Sequence, residues 1–108
     1  MKKHRNKAAR DELKRGNPIL FEAVTKVMYS HDPMGINFGV NPDEYDLEAS
    51  TVIPRLVGCN SSNELVTILH EEFVYWFGIE AAGELTRYSA LAEDLWNIWQ
   101  QNFSQIYK

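Results

Sequence analysis

With 108 residues, of which 44% are apolar, 12% aromatic and 24% charged, the chain has the composition of one ordinary globular domain, and two full domains do not fit. A lone cysteine, Cys59, excludes a disulfide framework, no apolar stretch approaches the roughly 18 to 20 residues that cross a bilayer, and Met1-Lys2-Lys3-His4-Arg5 is followed by no signal-peptide run, so a reducing cytoplasm is the expected location. The net charge of −4 hides a division: residues 1–16 carry net +5 and residues 17–108 net −9.

The basic N-terminal arm, residues 1–16, holds Lys2, Lys3, Arg5, Lys7, Arg10, Lys14 and Arg15 against Asp11 and Glu12. Such a run reads as a solvated leader or a fraying helix, with contact to nucleic-acid phosphates through residues 2–15 as the alternative. The acidic remainder, residues 17–108, reads as a single helical domain; its charge repels nucleic acid and favours a basic protein surface.

Four helices are expected there. In the first, Asn17 caps and Pro18 suits the first helical position. Ile19, Leu20, Ala23, Val24, Val27 and Met28 then recur with the helical period until Pro33. A second follows Asp46, with Ala49, Val52, Ile53, Leu56 and Val57 on one stripe and Gly58 as its stop. Pro54 requires that it kink or begin later, near Ser50. Ser61 and Glu64 have capping-box spacing and start a third helix, whose Leu65, Leu69, Phe73 and Trp76 face the core and which closes at Gly78 as a left-handed cap.

The fourth runs from about Gly83 to Tyr107. Projected at 100° per residue, Tyr88, Ala92, Leu95, Trp99 and Ile106 centre its stripe, and Trp96, Phe103 and Tyr107 lie on a flank. Packing between two neighbours explains so wide a stripe. The alternative is that the Trp96, Phe103 and Tyr107 flank is a dimer or partner interface. The fold class is therefore all-α: a compact bundle of about four helices with an ordered loop between the first two. Its predicted core is Leu20, Val24, Val27, Ile53, Leu56, Leu69, Phe73, Trp76, Leu95 and Trp99.

The irregular stretch His31 to Tyr45 is where function would most naturally sit. Asp32-Pro33-Met34-Gly35 has the composition of a tight turn, with Pro33 at the first corner and Gly35 available for positive φ. Tyr45 reads as the anchor, its ring packed under the loop and its hydroxyl on a polar partner. His31 suits a pairing with Asp32 or Asp46, as a structural or surface side chain.

Asp32-Pro33-Met34-Gly35-Ile36, then Asp43-Glu44-Tyr45-Asp46-Leu47-Glu48, a short helix, a Ser-Ser-x-Glu cap and a helix ending near Phe77-Gly78 resemble, across roughly residues 17–106, a family of small all-helical bacterial proteins with a "DP-I-G … DEYD" signature. That family is largely without an assigned function, and similar sequences occur as immunity proteins beside polymorphic toxins. The resemblance implies a helical fold and stoichiometric protein binding, and it supplies no catalytic residue.

No catalytic constellation is present: there is no G-x-S-x-G, no phosphate-binding glycine loop, and His70-Glu71-Glu72 lacks the second histidine of a zinc-binding helix. Asp43, Glu44, Asp46 and Glu48 lack EF-hand spacing and read as a solvated cap and turn. Glu71 and Glu72 point to different faces, and Cys59, with no basic neighbour, reads as a small packing residue. The expectation is a non-catalytic, immunity-like binding protein, without metal or cofactor, that engages a basic protein through an acidic surface of Asp43, Glu44, Asp46, Glu48 and Glu71. A small enzyme or ligand-binding protein using the 32–46 loop, and nucleic-acid association through the arm, are the alternatives.

Overall fold

A computed structural model describes residues 7–35 and 45–107, without the side chains of Lys7 and Tyr107. All regular structure among the described residues is helical. The described residues form six helices where about four were expected: α1 (Lys7–Gly16), α2 (Pro18–His31), α3 (Asp46–Val57), α4 (Ser62–Phe77), α5 (Ile79–Ala82) and a composite α6. In α6 a 3₁₀ turn, Leu85–Tyr88, leads into the α-helix Ser89–Ile98, a π turn, Trp99–Phe103, and a last turn, Ser104–Tyr107.

The four expected helices form the frame. Contacts of α2 with α3, α3 with α4, α4 with α6, and α6 with α2 close a ring around the core, while α1 lies against α2 and α3 and α5 packs on α4. The radius of gyration, 12.9 Å, is that of a fully folded chain of this length, about 13 Å. Nine of the ten predicted core residues are buried, and Val27 packs partly buried against them. Phe73 is the aromatic hub: its ring centroid lies 5.2 Å from Tyr88, 5.9 Å from Phe77 and 6.1 Å from Tyr45.

Local chemistry explains the boundaries. Helix α2 starts at Pro18, although Asn17 makes no side-chain cap, and ends at Asp32 in the left-handed region, φ 49°. Pro54 neither delays nor ends α3, which runs through it from Asp46. The Ser61 hydroxyl accepts the Glu64 N–H at 3.1 Å, while the Glu64 carboxylate reaches one residue beyond the usual box to the Asn60 N–H at 3.0 Å. Trp76 Nε1 donates to Thr51 Oγ1 at 2.9 Å and ties α4 to α3.

Two findings depart from the helical projection. Gly78 ends α4 at φ 87°, ψ 160°, a positive but extended conformation in place of a left-handed cap. The π turn closes its hydrogen bonds over five residues, with the Ser104 N–H on Trp99 O, so every side chain beyond it is rotated from a 100° count. Phe103, the last residue of the turn, is buried as the packed flank requires, and Ile106 beyond it, placed by projection at the centre of the stripe, is 72% exposed.

Candidate functional site

The Tyr45 clasp holds the two described ends of the 32–46 loop together. The Tyr45 ring is fully buried against Phe73, its hydroxyl donates to Asp32 Oδ1 at 2.7 Å, and it accepts the Met34 N–H at 3.1 Å. Burial first, then the hydrogen bond to Asp32, pushes the Tyr45 phenol well above its ordinary range. Pro33 occupies the turn and Gly35 adopts φ 66°, donating its N–H to Asp32 O. The loop interior, residues 36–44 with Asp43 and Glu44, lies outside the described residues.

Of the residues expected to form an acidic surface, the described part of the Asp43 to Glu48 segment faces inward. Asp46 and Glu48 lie in the first turn of α3 but face inward, 5% and 0% exposed, so neither contributes to an outer face. The positive end of the helix dipole favours carboxylates there, and α1 supplies cations to Asp46: Lys14 Nζ lies 3.4 Å from its Oδ2, and Arg10 Nη1 3.8 Å. Part of the basic segment is thus matched to a buried acid of the same chain. Sequence separation concealed this pairing, since charge counting treats the arm and the body as independent.

Glu71 is exposed, but it is joined to Glu72 through Arg55, whose Nη2 and Nη1 lie 2.8 and 2.9 Å from the two carboxylates. Hydrogen bonds to Glu71 and then Glu72 hold the Arg55 guanidinium above its usual pKa. The partner shown for His31 is an acid that the sequence reading did not name: its Nε2 lies 2.6 Å from Asp94 Oδ2, linking α2 to α6. Cys59 is buried, donates weakly to Ser61 O, and has its thiol pKa raised by burial, as a packing cysteine should.

Side chains are described for two of the three residues of the aromatic flank. Trp96 is half-buried against the core and Phe103 is buried at the end of the π turn, while the Tyr107 side chain lies outside the described set. Among the described residues no group of three or more His, Cys, Asp or Glu gathers as metal ligands, and no helix is long and apolar enough to cross a membrane.

What the sequence reading missed is α5. This single turn is bracketed by Gly78 and by Gly83, at φ 75° and ψ −161°, conformations essentially restricted to glycine. Its last carbonyls and that of the flanking Gly83 are taken by side chains: Arg87 Nη1 donates to Ala81 O at 2.9 Å, the Tyr88 hydroxyl to Ala82 O at 2.6 Å, and His70 Nε2 to Gly83 O at 3.0 Å. Burial raises the Tyr88 phenol pKa, against an opposing effect of Arg87. On the element so fixed, Ile79 is 71% exposed, and Leu85 just beyond it 44%. The signal in the sequence is the pair of glycines five residues apart around Ile-Glu-Ala-Ala, read there as the end of one helix and the start of the next.

Exposed carboxylates surround this element and continue beyond it. Glu80 and Glu84 flank Ile79 and Leu85, and Glu93 stands on α6; all three are exposed and none has an ion pair among the described residues. By contrast, Arg55 and Arg87 are both engaged with other groups of the chain. No family model, curated protein or solved structure matches the chain.

Proposed function

We propose that the protein acts by stoichiometric, non-catalytic binding of a basic protein partner, in the manner of an immunity protein. The observation that carries this reading is the asymmetry of charge commitment. Arg55 and Arg87 are held by groups of the chain, and of the other described cations of α1 to α6 only Arg15 and Lys26 stand exposed without an ion pair there, whereas Glu12, Glu22, Glu80, Glu84 and Glu93 are all exposed carboxylates without an ion pair among the described residues. An outward field of one sign speeds encounter with an oppositely charged surface and suppresses other partners. The resemblance of the Asp32-Pro33 and Asp43-Glu44-Tyr45-Asp46 segments to immunity-like proteins supports the same class. Nucleic-acid binding through the arm draws less support, because Arg10 and Lys14 lie against Asp46.

Purification of the tagged chain from its native cell, with identification of the co-purifying protein and stopped-flow association of the purified pair, tests the proposal. The expected result is a basic partner bound one to one, with an association rate that falls as salt is raised and falls again in a Glu80→Lys, Glu84→Lys, Glu93→Lys variant. A rate indifferent to salt and to these changes, or turnover of a small molecule by the purified chain, would overturn it.

A further inference from the structure

The turn between α4 and α6 carries a second property that charge alone does not use. His70, Ile79, Gly83, Glu84, Leu85 and Thr86 line an open, mainly apolar depression, at whose edge Ile79 and Leu85 are the most exposed large aliphatic side chains of that part of the chain. A four-residue helix has no cooperative stability of its own. Here it is held by two glycine conformations, two side-chain bonds to its own carbonyls at Ala81 and Ala82, and a third to the carbonyl of the flanking Gly83. An element so held presents its side chains at little ordering cost to a ligand.

We propose that this depression is the anchoring site of the basic partner, and that it receives an aliphatic side chain flanked by lysine or arginine; the inference rests on the acidic-surface reading. Charge complementarity identifies the occupant. Glu84 lines the depression and Glu80 follows Ile79 in the chain, both exposed and without ion pairs among the described residues, and the nearby Arg87 is turned onto Ala81 O. Cations beside the inserted side chain therefore meet free carboxylates, while the aliphatic group covers Ile79 and Leu85. A second copy of this chain is disfavoured as occupant because the chain carries net −4, and two bodies of like charge repel.

The test is an NMR titration of the isotopically labelled full chain with three synthetic peptides of equal length, one of lysine and leucine, one of lysine and serine, and one of glutamate and leucine. The lysine-leucine peptide is expected to shift the amides of Ile79, Gly83, Leu85 and Thr86 and to bind about tenfold more tightly than the lysine-serine peptide, the increment for covering one aliphatic side chain. Leu85→Ser or Ile79→Ser, both exposed positions, should remove that tenfold preference and leave the weak lysine-serine binding unchanged. Glu80→Lys with Glu84→Lys should weaken both basic peptides. Equal binding of the two basic peptides, or shifts away from the α5 turn, overturns the anchor while leaving the acidic surface standing. Binding of neither basic peptide overturns both. Equal binding of the glutamate-leucine peptide, or concentration-dependent self-association that shifts the same amides, overturns the basic occupant.

Discussion

Replacing Tyr45 by phenylalanine isolates the clasp, because the ring and its packing on Phe73 are kept and only the hydroxyl is lost. That hydroxyl makes one bond to a carboxylate, worth about 1.5–3 kcal/mol, and one from the Met34 N–H, worth about 1 kcal/mol. Asp32 and Met34 are half-buried, so water recovers part of both, and the expected net loss is about 2 kcal/mol. With an unfolding entropy of about 2.1 cal/mol/K per residue, this lowers the melting temperature by roughly 9 °C. Urea and thermal unfolding of the wild type, Tyr45→Phe, Asp32→Asn and the double variant complete a cycle. Asparagine tolerates the left-handed conformation at position 32, so Asp32→Asn should cost less than Tyr45→Phe, and the double variant less than the sum of the two. A Tyr45→Phe protein within about 0.5 kcal/mol of wild type, or strictly additive losses, would show that the clasp does not hold the loop ends.

Asp46→Lys sets a third cation against Arg10 and Lys14 at the N-terminus of α3 and should destabilise the domain by about 3 kcal/mol, with a smaller loss for Asp46→Asn; chemical denaturation reads both, and an unchanged midpoint for the lysine variant contradicts the burial of this acid. Gly83→Ala combines a glycine-only conformation with a Cβ 2.7 Å from the Arg87 guanidinium. A loss of about 1–3 kcal/mol is expected, with faster amide exchange in Ile79–Ala82 than elsewhere; uniform exchange would count against the bracketed turn. Tyr45 and Tyr88 keep their protons in the fold beyond the ordinary phenol range. The unfolded chain releases its phenol protons near pH 10, so above that pH the native state binds more protons and stability falls as pH rises. Urea midpoints between about pH 8 and pH 11 should show this decline, and Tyr45→Phe should flatten it.

The helical frame was legible because its signals are local. Pro18, Ser61 with Glu64, and the stripes through Val24, Ile53, Leu69 and Leu95 each specify structure within a turn or two of themselves, and the structure places all four helices near the expected bounds. Tyr45 was legible as an anchor for the same reason: an aromatic ring with one polar end, beside a turn, has few places to go. The acids were misread because solvation is not local. Asp46 is buried by the approach of Arg10 and Lys14 from α1, and no spacing within the Asp-Glu-Tyr-Asp segment reports that approach. Ile106 was misplaced in the projection because a periodic count assumes one hydrogen-bond ladder from end to end, and the Trp99–Phe103 turn breaks it.

That turn makes the outer face of the C-terminus depend on residue number more than on residue type. A five-residue hydrogen-bonded loop holds one residue more than the α-helical loop it replaces, so deletion of Gln100 or Gln101, both exposed, would return Ser104–Tyr107 to the α ladder. Composition would hardly change, and the side chains beyond the turn would keep their present faces, because the deletion removes the residue that the wider loop absorbs. Comparison of this segment with another helix of similar pattern accordingly needs a one-residue gap at Trp99–Phe103 before side chains on either side are equated.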